Sequence, residues 1–366
     1  LKWWTFHPLD TWFFRKGMPF HQGESSAVQP ESGFPPPMQT LQGAIRTTLA
    51  RRQGWVPKKP LPHPLGCWDD LGDLRLLGPF LKWQETLLYP VPYSLVGKKD
   101  QTGAWQLTRL KPGSEVETDL GMVRLPVPED DSIKGKHLEA WLTLQGINEI
   151  LAGEIPPSEA IITPEDLWKA ERRVGIMRDE KTRTAKDHHL YTSIHTRPEE
   201  GLSVVVGVDG VPSDWHPKRT TIPLGGEGRM AMVDVSDEND GLQAWLPKRP
   251  ELYTKNGRLF YTATLITPAQ YKNVNDVVCE KPPELPGKCW SASIGKPELI
   301  GGWDLKENKP RPLQALLPAG STWWMEANEE AWDQVIQLHG RIVGQKMKYG
   351  MGQLVIGQWN GEVIQP

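Results

Sequence analysis

Cysteine is scarce. Cys67, Cys279 and Cys289 are the only three in 366 residues. They form no zinc-ligand spacing and no even disulfide set, so no metal site and no disulfide framework is expected, and a reducing, cytoplasmic compartment is. Long apolar runs are also missing. No stretch of about 18 apolar residues occurs, which argues against a membrane span, and no signal-peptide pattern opens the chain. It begins at Leu1 rather than Met, and the expectation is that its true N-terminus has been trimmed. Charge is in short supply as a net quantity: −3 overall, which speaks against a protein that coats nucleic acid over its whole surface. His-Glu-x-x-His and the phosphate-loop pattern Gly-x-x-x-x-Gly-Lys-Ser/Thr are both absent, and no cofactor is expected.

Acid is missing from two particular stretches. Ser32 to Trp68 holds Arg46, Arg51, Arg52, Lys58 and Lys59 with no carboxylate, and Gln334 to Gly361 holds Arg341, Lys346 and Lys348 likewise. Acids gather instead in Glu115 to Asp131 and Asp234 to Asp240. Local basic patches on a near-neutral body suit a subunit that meets nucleic acid on one face. Seventeen Trp, 34 Pro and 35 Gly predict many turns and long connections rather than a helical bundle, and the length predicts two domains.

The most informative segment runs from Arg172 to Thr192. It follows a helix start at Thr163-Pro164-Glu165-Asp166 and ends in an extended run, Leu190 to Ile194. Between these lies a polar stretch without apolar periodicity that carries Arg172, Arg173, Arg178, Lys181, Arg183 and Lys186. The residues alone are read as a loop, either ordered by an anionic partner such as nucleic acid or simply solvated. After Pro37, Met38, Leu41, Ile45 and Leu49 keep helical spacing. Gln39, Thr40 and Gln42 at that helix start are candidates to receive phosphate, with Arg46 off the apolar stripe; a plain amphipathic helix is the alternative. Gly225, Gly226 and Gly228 admit close backbone approach beside Arg229, although an ordinary turn explains them equally. Lys346, Lys348, Tyr349, Gly350 and Gly352 form a basic, glycine-rich loop suited to cradling phosphates or to a mobile turn.

Strands are expected over Trp3–Phe14, Leu74–Trp83, Glu85–Pro92, Trp105–Leu110, Met122–Val127, Ser203–Val208, Leu259–Thr267, Thr322–Met325 and Gln353–Trp359. Further expectations are a mobile Lys111–Asp119 turn, a hairpin of Trp290–Ile294 with Leu299–Trp303, helices over Trp141–Leu151 and Glu329–Leu338, and a domain boundary at Gly153–Pro157.

An ordered set of motifs runs nearly end to end. It comprises Leu9-Asp10-Thr11-Trp12-Phe13-Phe14-Arg15 with Gly17 and Pro19-Phe20, then Phe34-Pro35-Pro36-Pro37, and Thr40-Leu41 with Gly43-Ala44 and Arg46. It continues with Arg173-Val174-Gly175-Ile176, Thr184-Ala185, Leu190-Tyr191-Thr192 and Leu224 to Arg229. It closes with Gly302-Trp303-Asp304, Pro318 to Ser321, and Gly350 to Gly352 through Ile356-Gly357 and Trp359. This set resembles subunit three of the Cmr (type III-B) CRISPR effector, a RAMP-superfamily protein; Lys58–Asp70 and Asp209–Thr220 match nothing in it.

The resemblance implies an α+β fold of two ferredoxin-like (RRM-like) modules with long loops and insertions, assigned to 1–155 and 156–366. It implies a non-catalytic role in antiviral defence: binding the 5′ handle of the guide RNA beside the large polymerase-like subunit and an adjacent backbone RAMP subunit, away from any membrane. The RNA contacts it implies are the helix after Pro37, the Arg173–Tyr191 segment, the Gly225–Arg229 loop and the Lys346–Gly352 loop. His188 is included among them, and Tyr191 and Tyr349 are candidates to stack on bases. The alternatives are a sister RAMP subunit of another type III subtype, or a repeat-processing endoribonuclease using His188 or His189 as acid or base. Adjacent strand residues face opposite ways, so at most one of the two would serve.

Overall fold

The computed structural model describes all residues except 15–31, 68, 69, 120, 179–181, 183, 238–244, 305–308 and 366, and the side chains at 177, 178, 185–191, 279, 303, 304 and 310 also lie outside the described set. The chain forms two compact units, neither of them one continuous stretch. The first comprises 1–85, 164–238 and 299–314; the second comprises 86–163, 239–298 and 315–366. The expected single boundary at Gly153–Pro157 is therefore corrected. Sequence breaks mark where the chain turns, but strands distant in sequence complete each sheet.

In the first unit, the strands 230–236, 2–8, 202–209 and 75–83 stand side by side in that order, all antiparallel. In chain order this reads fourth, first, third, second. The helix Met38–Arg52 connects the first to the second. That is the arrangement of a ferredoxin-like module, extended at one edge by Arg219–Pro223. No second long helix connects the third strand to the fourth; a single tight turn at Ser213–Trp215 and the edge strand occupy that place. Met38, Leu41, Ile45 and Leu49 form the buried stripe of the helix, as their spacing predicts. The strand Leu202–Asp209 is buried through Val208 on both its faces, because its Val-rich run offers apolar side chains to each.

The second unit repeats the order. The strands 354–358, 258–265, 322–328 and 288–293 lie adjacent, with the helices Val274–Cys279 and Trp332–Gln337 in the two connections. Alternation sorts the side chains. Leu259, Tyr261, Ala263, Leu265, Trp323, Met325, Leu354 and Ile356 share one core with Val277, Val335 and Leu338. Phe260, Trp324 and Trp359 pack on the other face with Leu110 and Trp290. Both faces of this sheet are therefore covered.

Several expectations change. The first strand ends at Pro8 rather than Phe14. The Lys111–Asp119 segment is not a mobile turn: the strand Trp105–Thr118 runs through it, paired with Gly121–Pro128. Trp141–Leu151 starts as strand, and the helix begins at Leu144 with Thr143 Oγ1 accepting the Gly146 N–H. Lys288–Ser293 pairs with Thr322–Asn328 instead of with 299–303.

The largest revision concerns Arg172–Thr192. The helix before it is one turn, Pro164–Leu167. The strands Trp168–Arg178 and Ala185–Pro198 then form a long antiparallel hairpin. Alternation is present in it, carried by charged residues: Arg172, Val174 and Ile176 are exposed, while Glu171, Arg173 and Gly175 on the opposite face are half-buried. A search for apolar periodicity passes over such a strand.

Two measurements test this packing. Trp323 is fully buried in the second unit, so Trp323→Ala is expected to cost about 3–5 kcal/mol in urea unfolding; a loss under about 1 kcal/mol would contradict the core assignment. In the first unit, Trp4 Nε1 donates to His216 Nδ1 at 3.0 Å. Burial, with the charge of Lys2 adding to it, lowers that imidazole from 6.5 to about 4. The folded state then holds His216 neutral, so this contribution is complete above about pH 6.5 and is lost as pH falls through the folded value. The urea midpoint should drop between about pH 7 and 5, and drop less in His216→Gln; equal slopes would refute the buried neutral imidazole.

Candidate nucleic-acid interface

The first unit gathers its charge around one carboxylate. Asp10 follows the first strand. Its Oδ2 accepts from Arg173 Nη2 at 2.7 Å and Arg229 Nη1 at 2.9 Å, and its Oδ1 from Arg197 Nη2 at 3.2 Å. Glu171 sits between two of these arginines, accepting from Arg173 Nε at 2.8 Å and from Arg197 Nε. Burial works to raise the Asp10 carboxyl pKa; the Arg173 hydrogen bond, the Thr11 N–H and the charges of Arg173 and Arg197 outweigh it, leaving the group below its ordinary range. Hydrogen bonds from Arg197 and then Arg173 hold Glu171 down against burial.

The segment after Asp10 is threaded into the hairpin root. Trp12 and Thr196 exchange backbone hydrogen bonds at 2.8 and 2.9 Å. His195 is buried between Thr11 Oγ1 at 3.2 Å and Ser193 Oγ at 3.0 Å, with its ring stacked on Phe13 at 4.9 Å. Burial, then the charges of Arg229 and Arg173, lower its pKa. With both ring nitrogens engaged, this imidazole packs the root. Phe34 stacks on Trp12 at 5.9 Å and meets Trp168 edge-on at 4.7 Å. The segment leading into the helix at Met38 is thereby fixed to the hairpin.

The glycine loop serves the same junction. The Gly226 N–H donates to the Phe13 carbonyl at 2.8 Å, and a Cβ at Gly225, whose φ is +88°, would lie 2.6 Å from that oxygen. Glycine is needed there for close approach to Phe13. Arg229 N–H is donated to Gly226 O. The close backbone approach expected at Gly225 and Gly226 is thus made by the chain's own Phe13.

Arg46 is also corrected. It is 6 % exposed, and its guanidinium donates to the carbonyls of Leu65 at 2.7 Å, Asp70 at 3.1 Å and Cys67. It secures the 65–70 loop and is committed to the chain's own oxygens. Gln39 and Thr40 are half-buried in the first turn, where Thr40 N–H is donated to Pro37 O at 2.9 Å.

Lys346, Lys348, Tyr349, Gly350 and Gly352 belong to the second unit. Lys346 and Lys348 are exposed on a tight turn, with Lys346 Nζ 5.4 Å from the Tyr349 ring centre. The N–H groups of Gly350 and Gly352 are given to Met347 O and Pro268 O. The turn therefore offers lysines, while those two glycines hold its shape. Arg178, Lys186, His188 and Tyr191 lie on the hairpin strands with side chains outside the described set, and Lys181 and Arg183 lie outside the described residues.

Comparison with known proteins places the chain. Residues 4–359 match the sequence profile of the family described as CRISPR-associated protein (Cas_Cmr3). The chain belongs to the CRISPR-associated Cmr3 family. It is a RAMP-type subunit of a type III-B CRISPR effector. The fold is shared with a chain in a cryo-EM structure of the Type III-B Cmr-beta bound to cognate target RNA, at TM-score 0.54 and 16% identity over 96% of each chain. A chain in a Cmr-beta structure bound to cognate target RNA and AMPPnP matches at TM-score 0.51 and 16% identity, over 92% of this chain and 89% of that one. No curated protein matches significantly.

For this Cmr3-family chain, the sequence reading missed Asp10, Glu171, His195 and Arg197 as parts of the site. Asp10 lies in the Leu9–Arg15 motif, where nothing in its neighbours gives it a role. Glu171 and Arg197 sit toward the base of a hairpin whose register pairs Glu171 with His195 and Lys169 with Arg197; only with that register do they become neighbours. Among the described residues no His, Cys, Asp and Glu cluster could hold a metal ion.

Asp10 receives three guanidinium groups and Glu171 two, so Asp10→Asn should lower the urea midpoint more than Glu171→Gln. Both carboxyls are depressed, so their contribution is complete above the unfolded carboxylate range near pH 4 and is lost as pH falls below it. Wild type should therefore lose stability in acid more steeply than the Asp10→Asn, Glu171→Gln double variant. Equal midpoints for the two single variants would deny Asp10 its central place.

Proposed function

We propose that this subunit binds the repeat-derived 5′ handle of the guide RNA without cleaving it, using the 168–198 hairpin as the principal arm, and that it docks on the large polymerase-like subunit beside a backbone RAMP subunit in antiviral defence. The observation that carries the reading is the arm's composition on a braced root. Val174 and Ile176 are 61% and 51% exposed, alongside Arg172, on the face opposite the Asp10 cluster. Unstacked bases stack on aromatic rings and Arg guanidinium planes while Arg and Lys meet phosphates; on this face Arg172 is the group that can do either, and Val174 and Ile176 offer apolar surface beside it. Arg178 and Lys186 lie on the two hairpin strands, and the sequence between those strands adds Lys181 and Arg183. The root fits the same purpose, since three guanidinium groups face only two carboxylates in direct ion pairs. The Cmr-beta structures that share this fold are described as bound to cognate target RNA, which agrees with a subunit of an RNA-handling assembly. No helix of the described residues is long and apolar enough to cross a membrane.

The test pairs Arg183→Ala with Lys186→Ala and measures handle-RNA affinity across salt concentration. Each lost phosphate contact should flatten the slope of log K against log salt by about 0.7 for a single strand. Unchanged affinity and slope would remove the arm from the interface. Repeat RNA incubated with the protein and divalent metal should stay intact; cleavage abolished by His188→Ala or His189→Ala would establish the endoribonuclease reading instead.

A further inference from the structure

The two segments that the family motifs leave unexplained, Lys58–Asp70 and Asp209–Thr220, are each tied to the C-terminal end of the helix Met38–Arg52 or to the turn that follows it. There Arg52 Nε donates to the Trp215 carbonyl at 2.8 Å. The end is tightly capped: Gln53 and Trp55 donate their N–H groups to Ala50 O at 2.9 and 3.1 Å, and Gly54 donates to Arg51 O at 3.0 Å. The chain then folds back, with Trp55 Nε1 donating to Lys59 O at 2.9 Å and Lys58 in the left-handed backbone region at φ 74°. Arg51, Arg52, Lys58 and Lys59 are all exposed, the Trp55 ring is half-exposed, and Val56 is 48% exposed.

Cations in the last helical turn favour the helix dipole, which accounts for Arg51 and Arg52. It does not account for two further lysines fixed on the turn that follows, in a stretch with no carboxylate from Gly33 to Trp68. Asp70 closes the Lys58–Asp70 segment, its Oδ2 accepting the Gly72 N–H at 3.1 Å, and other acids come from other elements. Asp214 is exposed on the adjoining 213–215 turn, and Asp73 stands 3.4 Å from His63 Nε2. Neither forms an ion pair with these four cations among the described residues.

We propose that this capped helix end is a second, sequence-independent contact for a single-stranded polynucleotide, separate from the hairpin arm. Arg51, Lys58 and Lys59 take consecutive phosphates, and the Trp55 face accepts a base. Its built geometry reduces the ordering cost on binding, since the turn is already held by hydrogen bonds. A surface that reads phosphate charge and a stacking face has no means of selecting a base. The contact is therefore predicted to add affinity to whatever strand the arm holds, without adding preference.

The experiment is fluorescence anisotropy of the full chain with oligouridine and oligothymidine of equal length, across salt, for wild type and for Arg51→Gln, Lys58→Gln, Lys59→Gln combined. Arg52 is spared because it holds the Trp215 turn. The slope of log K against log salt should fall by about 2, at about 0.7 per contact, and equally for both oligonucleotides, with an unchanged urea midpoint. Should the triple variant misfold, Lys58→Gln with Lys59→Gln, both beyond the helix, should still lower the slope by about 1.4. An unchanged slope overturns the proposal, as does intact oligonucleotide binding with loss of a copurifying protein subunit, which would make this a protein-docking surface. Run beside Arg183→Ala with Lys186→Ala, the assay separates the two readings: a slope lowered only by the hairpin pair removes the second contact and keeps the arm, and the converse removes the arm and keeps the second contact.

Discussion

Asp10 holds three arginines that come from separate segments of the chain: Arg173 and Arg197 on the two hairpin strands, and Arg229 after the glycine loop. An isolated exposed ion pair contributes little, because solvent screens it and two long side chains must be ordered. Here one short carboxylate orders three guanidinium groups at once, and Glu171 orders two of them again. Each additional pair forms on side chains already fixed. The polar inner face of the hairpin root is satisfied in this way. That is how a strand whose apolar Val174 and Ile176 point away is held against the first module, with Trp12, Phe34 and Trp168 sealing the junction.

The two modules share one plan, and in each, strands of the sheet are buried on both faces. Leu202–Val208 is buried on both faces in the first, and the second carries one core with its helices and another around Phe260, Trp324 and Trp359. A module that reads RNA on an open sheet needs exposed aromatics on the central strands. Here those positions are spent on packing. The proposed contacts with a polynucleotide lie on elements that leave the sheets: the hairpin, the capped helix end and the lysine turn at 346–348.

The parts of the fold legible in the sequence were those whose residues announce their burial. Met38, Leu41, Ile45 and Leu49 gave away a helix, and Ser203–Val208 a core strand. The α+β class with ferredoxin-like modules came from ordered motifs rather than from periodicity. The interleaving of the units was not legible, because it depends on pairings such as Trp4 with Val206 that span the chain. The hairpin was hidden by its chemistry: its alternation lies in Arg172, Arg173 and Glu171, and charged residues look like loop until their partner is known. For the site, cationic type singled out segments but did not give the roles of their residues. Arg46 is spent on its own loop's carbonyls, and Gly226 on Phe13. Asp10, the residue on which the arrangement turns, is a single acid in a basic context, and nothing in its local sequence marks it as a hub.

The most direct measurement of this account is amide hydrogen exchange in the RNA-free protein, comparing wild type with Asp10→Ala. If the carboxylate roots the arm, the strands 168–178 and 185–198 lose protection in the variant while 202–209 stays protected. Hairpin protection equal to wild type in Asp10→Ala would contradict it.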